Sequence, residues 1–294
     1  STDAGETWTI NETSTGKVLR NLSYAYSNSG YRIIASGNSG AILSTTNLGS
    51  TFVTREPFSE LDFYGAGFSA PEGRIVLTNG DKSHAESSDG GETWVTKSTG
   101  TLYISYIDIS PALTLFHAAC SNGDPKHVYI TTNGGSNWLI KSADATNEDD
   151  FGGISFLRGN IIIAYGSNGL MLRSTNYGEN WNTVTLPVTD RIFSAAVNPE
   201  WQTVITNAGT RGKFLKSTDL GGTWELKDIP AANSYTAQVF AISYSGAVIG
   251  AGYKGSMVKS TDLGETWKEI NTGTDADIDD VLFINNSLVA ALAH

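Results

Sequence analysis

Histidine and aspartate side chains concentrate in two turn sequences that differ from the rest of the chain. The first turn, within residues 79–84, carries Asp81 and His84, and the second carries Asp124 and His127. Imidazole and carboxylate groups at adjacent turns suit the binding of a polar ligand or a protein partner. An Asn-Gly pair opens each turn, and that pair also favours a plain exposed hairpin. The sequence leaves both interpretations open.

Carboxylates also concentrate in two loops, at residues 144–150 and 275–280. The alternating Asp275, Asp277 and Asp279 offer the oxygen ligands that Ca²⁺ prefers. The loop lacks the central Gly and the distal Glu of an EF-hand, which favours a solvated acidic loop. No phosphate-binding Gly-rich loop, nucleophile elbow or CxxC pair is present. We therefore predict no metal site, no catalytic residue and no cofactor.

An eight-residue motif, Ser/Thr-x-Asp/Asn-x-Gly-x-x-Trp, organises these segments, because it recurs seven times at a period of about 43 residues. The copies span residues 1–8, 45–52, 87–94, 131–138, 174–181, 217–224 and 260–267, and Phe52 replaces Trp in the second. The Asp or Asn is expected to accept backbone N–H groups, the Gly to supply a positive φ, and the Trp to seat the turn. We predict a structural role for the seven acceptors, Asp3, Asn47, Asp89, Asn133, Asn176, Asp219 and Asp262.

Short apolar runs bounded by Gly, Asn, Asp and Ser fill the interval between successive motifs. Four such runs per repeat are typical of an antiparallel propeller blade. We therefore predict an all-β fold, a single seven-bladed β-propeller of four-stranded blades over residues 1–294. The chain starts in mid-repeat, so the segment Ser1–Ile10 is expected to join the last blade as a strand and close the ring. The third strand of that blade has no residues left to form it, so we expect the chain to be trimmed or cut from a longer polypeptide.

Aligning the repeats places one polar residue per blade at the start of the innermost strand. We expect these residues to line the mouth of a central channel, on the face opposite the motifs. Two interpretations fit: a mouth that is polar because solvent fills it, or a shallow site for a sugar or a peptide segment. The seven residues are Arg20, Asp62, Tyr103, Asp150, Arg191, Gln238 and Asp277.

Charge and composition exclude several kinds of partner. The 19 Lys and Arg against 30 Asp and Glu give a net charge of −11, which repels nucleic acid and anionic membranes. No apolar stretch is long enough to cross a bilayer. Cys120, the only cysteine, lies in an apolar run and is expected to be buried. The low Lys content and the acidic, Ser/Thr/Asn/Gly-rich sequence favour an extracellular, periplasmic, lumenal or virion-associated location.

The motif resembles the Asp-box, or bacterial neuraminidase repeat, of sialidases, xyloglucanases, sortilin-type receptors and photosystem II stability/assembly factor-like proteins. A longer pattern, in which two glycines precede the motif, occurs at Gly166–Trp181 and Gly252–Trp267 and is most similar to the last group. That resemblance implies a propeller that binds or assembles partners without performing chemistry.

A glycan-processing hydrolase is the alternative. Arg20, Arg191 and Arg211 offer the three arginines that a sialidase needs, but no Tyr–Glu pair accompanies them and the Arg-Ile-Pro motif is absent. A xyloglucanase needs two carboxylates beside a sugar groove and typically two propellers, whereas this chain has the length of one. We therefore expect a binding or assembly propeller that engages a protein or a glycan on the face opposite the motifs. A lectin or a phage receptor-binding module is the further alternative.

Overall fold

A computed structural model shows an all-β chain. It describes residues 1–13, 15–27, 30–55, 61–69, 73–111, 115–121, 127–141, 150–198, 200–230 and 237–294. Strands in the first half are β1 Leu19–Ser27, β2 Gly30–Gly37, β3 Ile42–Thr45, β4 Val53–Thr54, β5 Gly65–Ser69, β6 Arg74–Thr78, β7 Ser83–Ser87, β8 Val95–Ser98, β9 Tyr106–Ile109, β10 His117–Cys120, β11 Val128–Thr131 and β12 Leu139–Lys141.

The strands in the second half follow at similar intervals. They are β13 Phe151–Arg158, β14 Ile161–Gly166, β15 Met171–Ser174, β16 Asn182–Thr183, β17 Ala195–Asn198, β18 Thr203–Asn207, β19 Lys213–Ser217, β20 Glu225–Asp228, β21 Ala237–Ile242, β22 Val248–Gly252, β23 Met257–Ser260, β24 Lys268–Glu269, β25 Ile278–Phe283 and β26 Val289–Ala293. No helix among the described residues has the length and apolar character to cross a membrane.

Each consecutive set of four strands, from β1–β4 to β21–β24, forms one antiparallel sheet whose neighbours in sequence are neighbours in space. We number these sheets blades 1–6 in chain order. The second and third strands of each blade are largely buried, whereas outermost strands such as β4 and β24 are exposed. Cys120 is buried in β10, as predicted. Apolar side chains from adjacent blades pack together, so the core lies between the sheets.

The prediction of seven four-stranded blades closed by an N-terminal strand is wrong. The described residues form six four-stranded blades, and β25 and β26 form a two-stranded sheet, here called the seventh sheet. Residues 1–10 form a turn and extended coil instead of a strand. The reason is physical: a fourth strand needs a third strand to pair with, and only Ser1 pairs with the outer edge of β26, through reciprocal bonds of 3.0 Å with Val289.

The seventh sheet nevertheless lies between blade 6 and blade 1. Strand β25 contacts both β21 and β1. The motif at residues 1–8 also packs against blade 6, because a Cβ on Gly5 would lie 2.4 Å from Cδ1 of Ile249. Lys259 of β23 reaches the same motif through a 2.6 Å ion pair with Glu6. The ring is therefore closed by side-chain packing and ion pairing around a two-stranded sheet.

The seven motifs adopt one turn held by the predicted acceptor. In every copy the third residue's side-chain oxygen accepts the N–H of the seventh residue, as in Asn47–Thr51 at 2.9 Å and Asp262–Thr266 at 2.8 Å. The fourth residue takes a positive φ even where it carries a side chain, as Leu48 does at 59°. That conformation is costly for residues other than Gly, so the acceptor bonds must offset the strain.

We predict that Asp262→Ala will lower the free energy of unfolding by about 1 kcal/mol, because Thr266, Glu265 and Ser260 lose a shared acceptor. Asp262→Asn is the matched control, since Asn47 keeps the equivalent bond and its amide also donates to a Thr hydroxyl at 2.8 Å. Urea unfolding measures both variants. Equal loss in the two would show that the acceptor oxygen is not what stabilises the turn.

Candidate functional site

The innermost strands β1, β5, β9, β13, β17, β21 and β25 contact one another in chain order around the ring, and β25 returns to β1. The turns between second and third strands lie beside the starts of the next innermost strand. Gly40 N–H, for example, donates to the Leu61 carbonyl at 2.6 Å, and Gly255 N–H to the Ala276 carbonyl at 2.7 Å. This end of the central channel, where the innermost strands begin, is the mouth.

Three acidic residues expected at the mouth hold the neighbouring turns. Asp62 Oδ1 accepts the N–H of Ser39 at 2.8 Å, and Asp277 Oδ1 accepts the N–H of Lys254 at 2.8 Å. Ser39 and Lys254 both have a φ of 53°, in the left-handed region. Asp150 instead donates its N–H to Ser167 Oγ at 2.7 Å. The carboxylates of Asp62 and Asp277 are therefore committed to turn geometry, whereas Asp150 holds its turn through its backbone N–H.

The two arginines expected at the mouth lie in different blades and environments. Arg191 Nη2 donates to the Phe151 carbonyl at 3.2 Å, and its Nη1 lies 4.0 Å from Asp150. Its guanidinium also covers the ring of Phe193, 5.7 Å from the centroid. Arg20 Nε donates to Asn38 Oδ1 at 2.8 Å on the far side of the ring. The structure thus pairs Arg191 with Asp150 and leaves Arg20 apart from them.

Exposed aromatic side chains form the part of the mouth that sequence alignment found only at Tyr103. The exposed fractions are 44% for Tyr64, 39% for Tyr103, 43% for Phe193 and 52% for Tyr253. Lys82 Nζ lies 5.1 Å from the Tyr103 ring centroid, in a second cation–π pair. Tyr64 and Phe193 both follow a predicted mouth residue by two positions, a signal that could have identified them. Gln238 is half-buried, and its carbonyl accepts the Ser194 hydroxyl at 3.2 Å.

The turn histidines do not form one exposed cluster. Asp81 is exposed, and its Oδ1 accepts the N–H of Lys82 at 2.7 Å. His84 is 1% exposed, inside β7. His127 is half-buried and meets the ring of Tyr129 edge-on at 6.2 Å. Asp124 and the rest of residues 122–126 lie outside the described residues, as do residues 142–149 of the first acidic loop.

Buried Glu86 lies beside His84 and was not expected from the sequence. It forms ion pairs with Arg74 and, at 2.5 Å, with Lys97. Burial opposes ionisation, but His84, Lys97 and Arg74 together lower the pKa of Glu86 to about 2. The group is therefore a structural anion inside blade 2. Among the described residues no set of three or more His, Cys, Asp or Glu could hold a metal ion.

Two carboxylates on the innermost strands accept backbone N–H groups of an adjacent sheet. Asp108 accepts the N–H of Phe156 in blade 4 at 2.8 Å, and Asp280 accepts the N–H of Leu22 in blade 1 at 2.7 Å. Each carboxylate therefore accepts one N–H from the inner edge of a sheet, where no strand lies alongside. Burial raises the pKa of each to about 7, although backbone N–H groups lower it. Asp280, predicted within the second acidic loop, lies instead in β25.

Two of the cavities among the described residues lie in blades 4 to 6. A cavity of about 200 Å³ in blade 6 is lined by Lys254, Thr272 and Asp275 near the mouth. A groove of about 510 Å³ lies between blades 4 and 5, beside Arg173 and Trp224. Only the groove falls within the roughly 300–1,000 Å³ typical of small-molecule sites.

Comparison with known proteins finds solved structures of the same fold but no matching family. No protein-family model matches the chain, and no curated protein matches its sequence. A solved structure described as YCF48 bound to D1 peptide aligns with a TM-score of 0.78 and 16% identity, over 100% of this chain and 95% of the other. YCF48 from Cyanidioschyzon merolae aligns with a TM-score of 0.75 and 17% identity, over 98% of each chain. The chain is a β-propeller.

The same fold occurs in proteins with other activities. The WD40 propeller domain of Doa1 aligns with a TM-score of 0.72 and 10% identity, over 98% of this chain and 93% of that one. A GH74 enzyme from Niastella koreensis aligns with a TM-score of 0.68 and 18% identity, over 90% of this chain and 40% of the enzyme. At these identities the likeness establishes architecture, and function must be argued from the site.

We predict that the carboxyl of half-buried Asp280 makes stability fall as pH rises. Its folded pKa of about 7 lies above the unfolded value of 3.8, so the unfolded chain releases the proton first between those limits. Asp280→Asn should therefore gain in unfolding temperature relative to the parent between pH 5 and pH 8, by a few degrees. Asp275→Asn, in the exposed loop that precedes β25, is the control. A constant difference between Asp280→Asn and the parent across that range would contradict the assignment.

Proposed function

We propose that this chain is a binding or assembly propeller whose mouth engages a peptide segment of a partner protein. The observation that carries the proposal is the set of exposed aromatic rings at the mouth, two of them stacked against cations, Tyr103 with Lys82 and Phe193 with Arg191. Rigid aromatic rings and arginines are the side chains that dominate binding energy at protein interfaces. YCF48, which shares the fold, has been solved with a D1 peptide bound.

The hydrogen bonding at the mouth supports binding over chemistry. A glycosidase needs two carboxyl groups free to act as acid and base or nucleophile. Asp62 and Asp277 instead accept backbone N–H groups that fix turns of positive φ. Arg191 likewise donates to a backbone carbonyl. The carboxylates of Asp62 and Asp277 therefore hold the frame, and the aromatic rings, with the Arg191 guanidinium over Phe193, are left as the contact surface.

The proposal has several finer parts. We take the eight-residue motif to be the Asp-box, the whole chain 1–294 to be one domain, and the function to be similar to that of photosystem II stability/assembly factor-like proteins. The location would be outside the cytosol: extracellular, periplasmic or lumenal, or on a virion. The acidic surface and low Lys content support that location.

A glycan-binding function is the second candidate, and the groove between blades 4 and 5 favours it. The residues that line the groove include Trp224, Arg173 and Thr183. An aromatic ring beside hydrogen-bonding groups suits a sugar. The groove lies beside the motif of residues 217–224, away from the mouth.

We predict that Tyr103→Ala and Arg191→Ala will each weaken binding of peptides selected from a displayed peptide library by at least about tenfold, as loss of an interface anchor does. Tyr177→Ala is the matched control: Tyr177 is 38% exposed but lies in a motif turn, where Ala4 occupies the same position. Calorimetry on purified protein measures the affinities.

Other outcomes would redirect the assignment. Binding on a glycan array that is lost in Trp224→Ala and kept in Tyr103→Ala would establish the lectin. Turnover of an oligosaccharide that Asp150→Asn or Asp277→Asn abolishes would establish a hydrolase. Selected peptides that bind Tyr103→Ala and Arg191→Ala as well as the parent would overturn the mouth as the peptide site.

A further inference from the structure

Two exposed aromatic side chains lie at the end of the ring opposite the mouth, here called the exit. Trp201, in the turn between β17 and β18, is 60% exposed, and Tyr244, in the turn between β21 and β22, is 68% exposed. An antiparallel blade places these turns on the same side as the motif turns, and the motif residue Leu220 donates its N–H to the Gln202 carbonyl at 3.0 Å. The exit therefore presents the two most exposed aromatic rings that the structure describes.

One buried amide joins the two turns. Asn198 is 1% exposed, and its Nδ2 donates to the carbonyl of Ser243 at 2.7 Å and to that of Tyr244 at 3.2 Å. Its Oδ1 accepts the N–H of Trp201 at 3.1 Å. The backbones of both aromatic residues are therefore held by a single side chain. Rings on such a rigid frame need little ordering when a ligand binds, which favours affinity.

Polar side chains without charge surround the two rings. Gln202 and Ser245 each directly follow one of the aromatic residues, and both are exposed. Ser245 donates its N–H to Asn286 Oδ1 at 3.0 Å, which brings a further exposed amide from the turn between β25 and β26. Within residues 200–202 and 243–247, Glu200 is the one charged side chain. The rings are thus bordered mainly by amides and hydroxyls.

The frame of the ring does not need aromatic residues at these turns. The corresponding turns of blade 4 and the seventh sheet also accept a motif N–H, through the carbonyls of Asn160 and Ser287. Those turns, at residues 159–160 and 284–288, contain no aromatic residue. Trp201 is also the only tryptophan outside the seven motifs. The two rings are therefore available for contact with a ligand.

An uncharged sugar matches this surface better than a protein does. One face of a pyranose carries C–H groups that pack on an aromatic ring, while its hydroxyls bond to neighbouring amides and hydroxyls. A protein hot spot is instead an aromatic ring within a desolvated apolar patch, and no aliphatic side chain of residues 200–202 and 243–247 is exposed. Glu200 and the net charge of −11 disfavour an acidic sugar.

We propose that the exit turns of blades 5 and 6 bind an uncharged oligosaccharide, with Trp201 and Tyr244 each packed against a sugar ring. The site is separate from the mouth and does not rest on the function proposed for it. It also shares no lining residue with the groove beside Trp224.

The probes are hexasaccharides of glucose, mannose, xylose and N-acetylglucosamine, titrated into the 294-residue chain by calorimetry. At least one should bind, and Trp201→Ala and Tyr244→Ala should each weaken its binding by at least about tenfold through loss of a packed ring. Tyr253→Ala is the matched control, because Tyr253 is 52% exposed in blade 6 but lies between β22 and β23, on the mouth side. All three variants should unfold at the temperature of the parent, since the rings lie largely outside the core.

Fluorescence reports on the same site directly. Trp201 is exposed, whereas the six motif tryptophans are half-buried. Iodide should therefore quench the emission of Trp201 most strongly, and the saturating hexasaccharide should protect it. Trp201→Phe keeps a ring for the sugar but removes the emission, so binding should persist while the protected component disappears.

The proposal is overturned if none of the hexasaccharides binds, or if the bound one has parent affinity for Trp201→Ala and Tyr244→Ala. A loss of binding in Trp224→Ala alone would assign the sugar to the groove and also overturn it. So would a dimer of the parent that Trp201→Ala converts to a monomer, because the rings would then contact a second copy. Peptides selected for the mouth should bind Trp201→Ala as they bind the parent, so failure at one site is distinguished from failure at the other.

Discussion

Unpaired backbone groups at sheet edges are the constraint on which this molecule depends. Each blade is an open sheet, so its innermost strand presents N–H and C=O groups that no other strand covers. The ring meets this demand with side chains from the adjacent sheet. Asp108 and Asp280 each accept one such N–H, and Ser194 Oγ accepts that of Phe240 at 3.3 Å. Asp108 and Asp280 are half-buried, and the pKa of each carboxyl is raised to about 7, because the same packing that brings them to the edge removes water from them.

The motif turns solve the complementary problem of joining one blade to the next. Their Gly lies against the preceding blade, where a side chain would collide: a Cβ on Gly178 would lie 2.7 Å from Cδ1 of Ile130. Where the sixth motif residue is Glu, a basic residue of the preceding blade pairs with it, from the third strand in Lys216–Glu265 at 2.5 Å and from the fourth strand in Lys141–Glu179 at 2.6 Å. Where that residue is Gly, Arg173 donates to a motif carbonyl instead. Cohesion between blades is therefore kept while individual partners change.

The 43-residue period predicted four-stranded antiparallel blades, the order of their strands and the backbone bonds accepted by the motif residues, because each depends on residues close in sequence. It put the number of such blades at seven, where the described residues form six. The period did not predict structure that depends on pairing between segments distant in sequence. Residues 1–10 have a strand-like sequence, but without a third strand on β26 they have nothing to pair with. The second wrong prediction concerned the exposure of a side chain. His84 was assigned to an exposed turn, although Thr78 pairs with it across the sheet and it is enclosed. Asp108 looked unremarkable in sequence, since its acceptor role exists only once blade 4 is beside it.

The distribution of differences among the blades argues for the mouth as the recognition surface. The acceptor position of the motif repeats from blade to blade in chemistry, if not in identity, because Asp and Asn exchange there. Lys or Arg precedes the motif in blades 4–6. The exposed aromatic rings at the mouth do not repeat, since Tyr64, Tyr103 and Phe193 come from segments that differ in the remaining blades. A sevenfold sequence can discriminate a partner only where its repeats are unequal. In the proposed peptide complex, the exposed rings of Tyr64, Tyr103 and Phe193 would discriminate the partner, which the equal motifs cannot do.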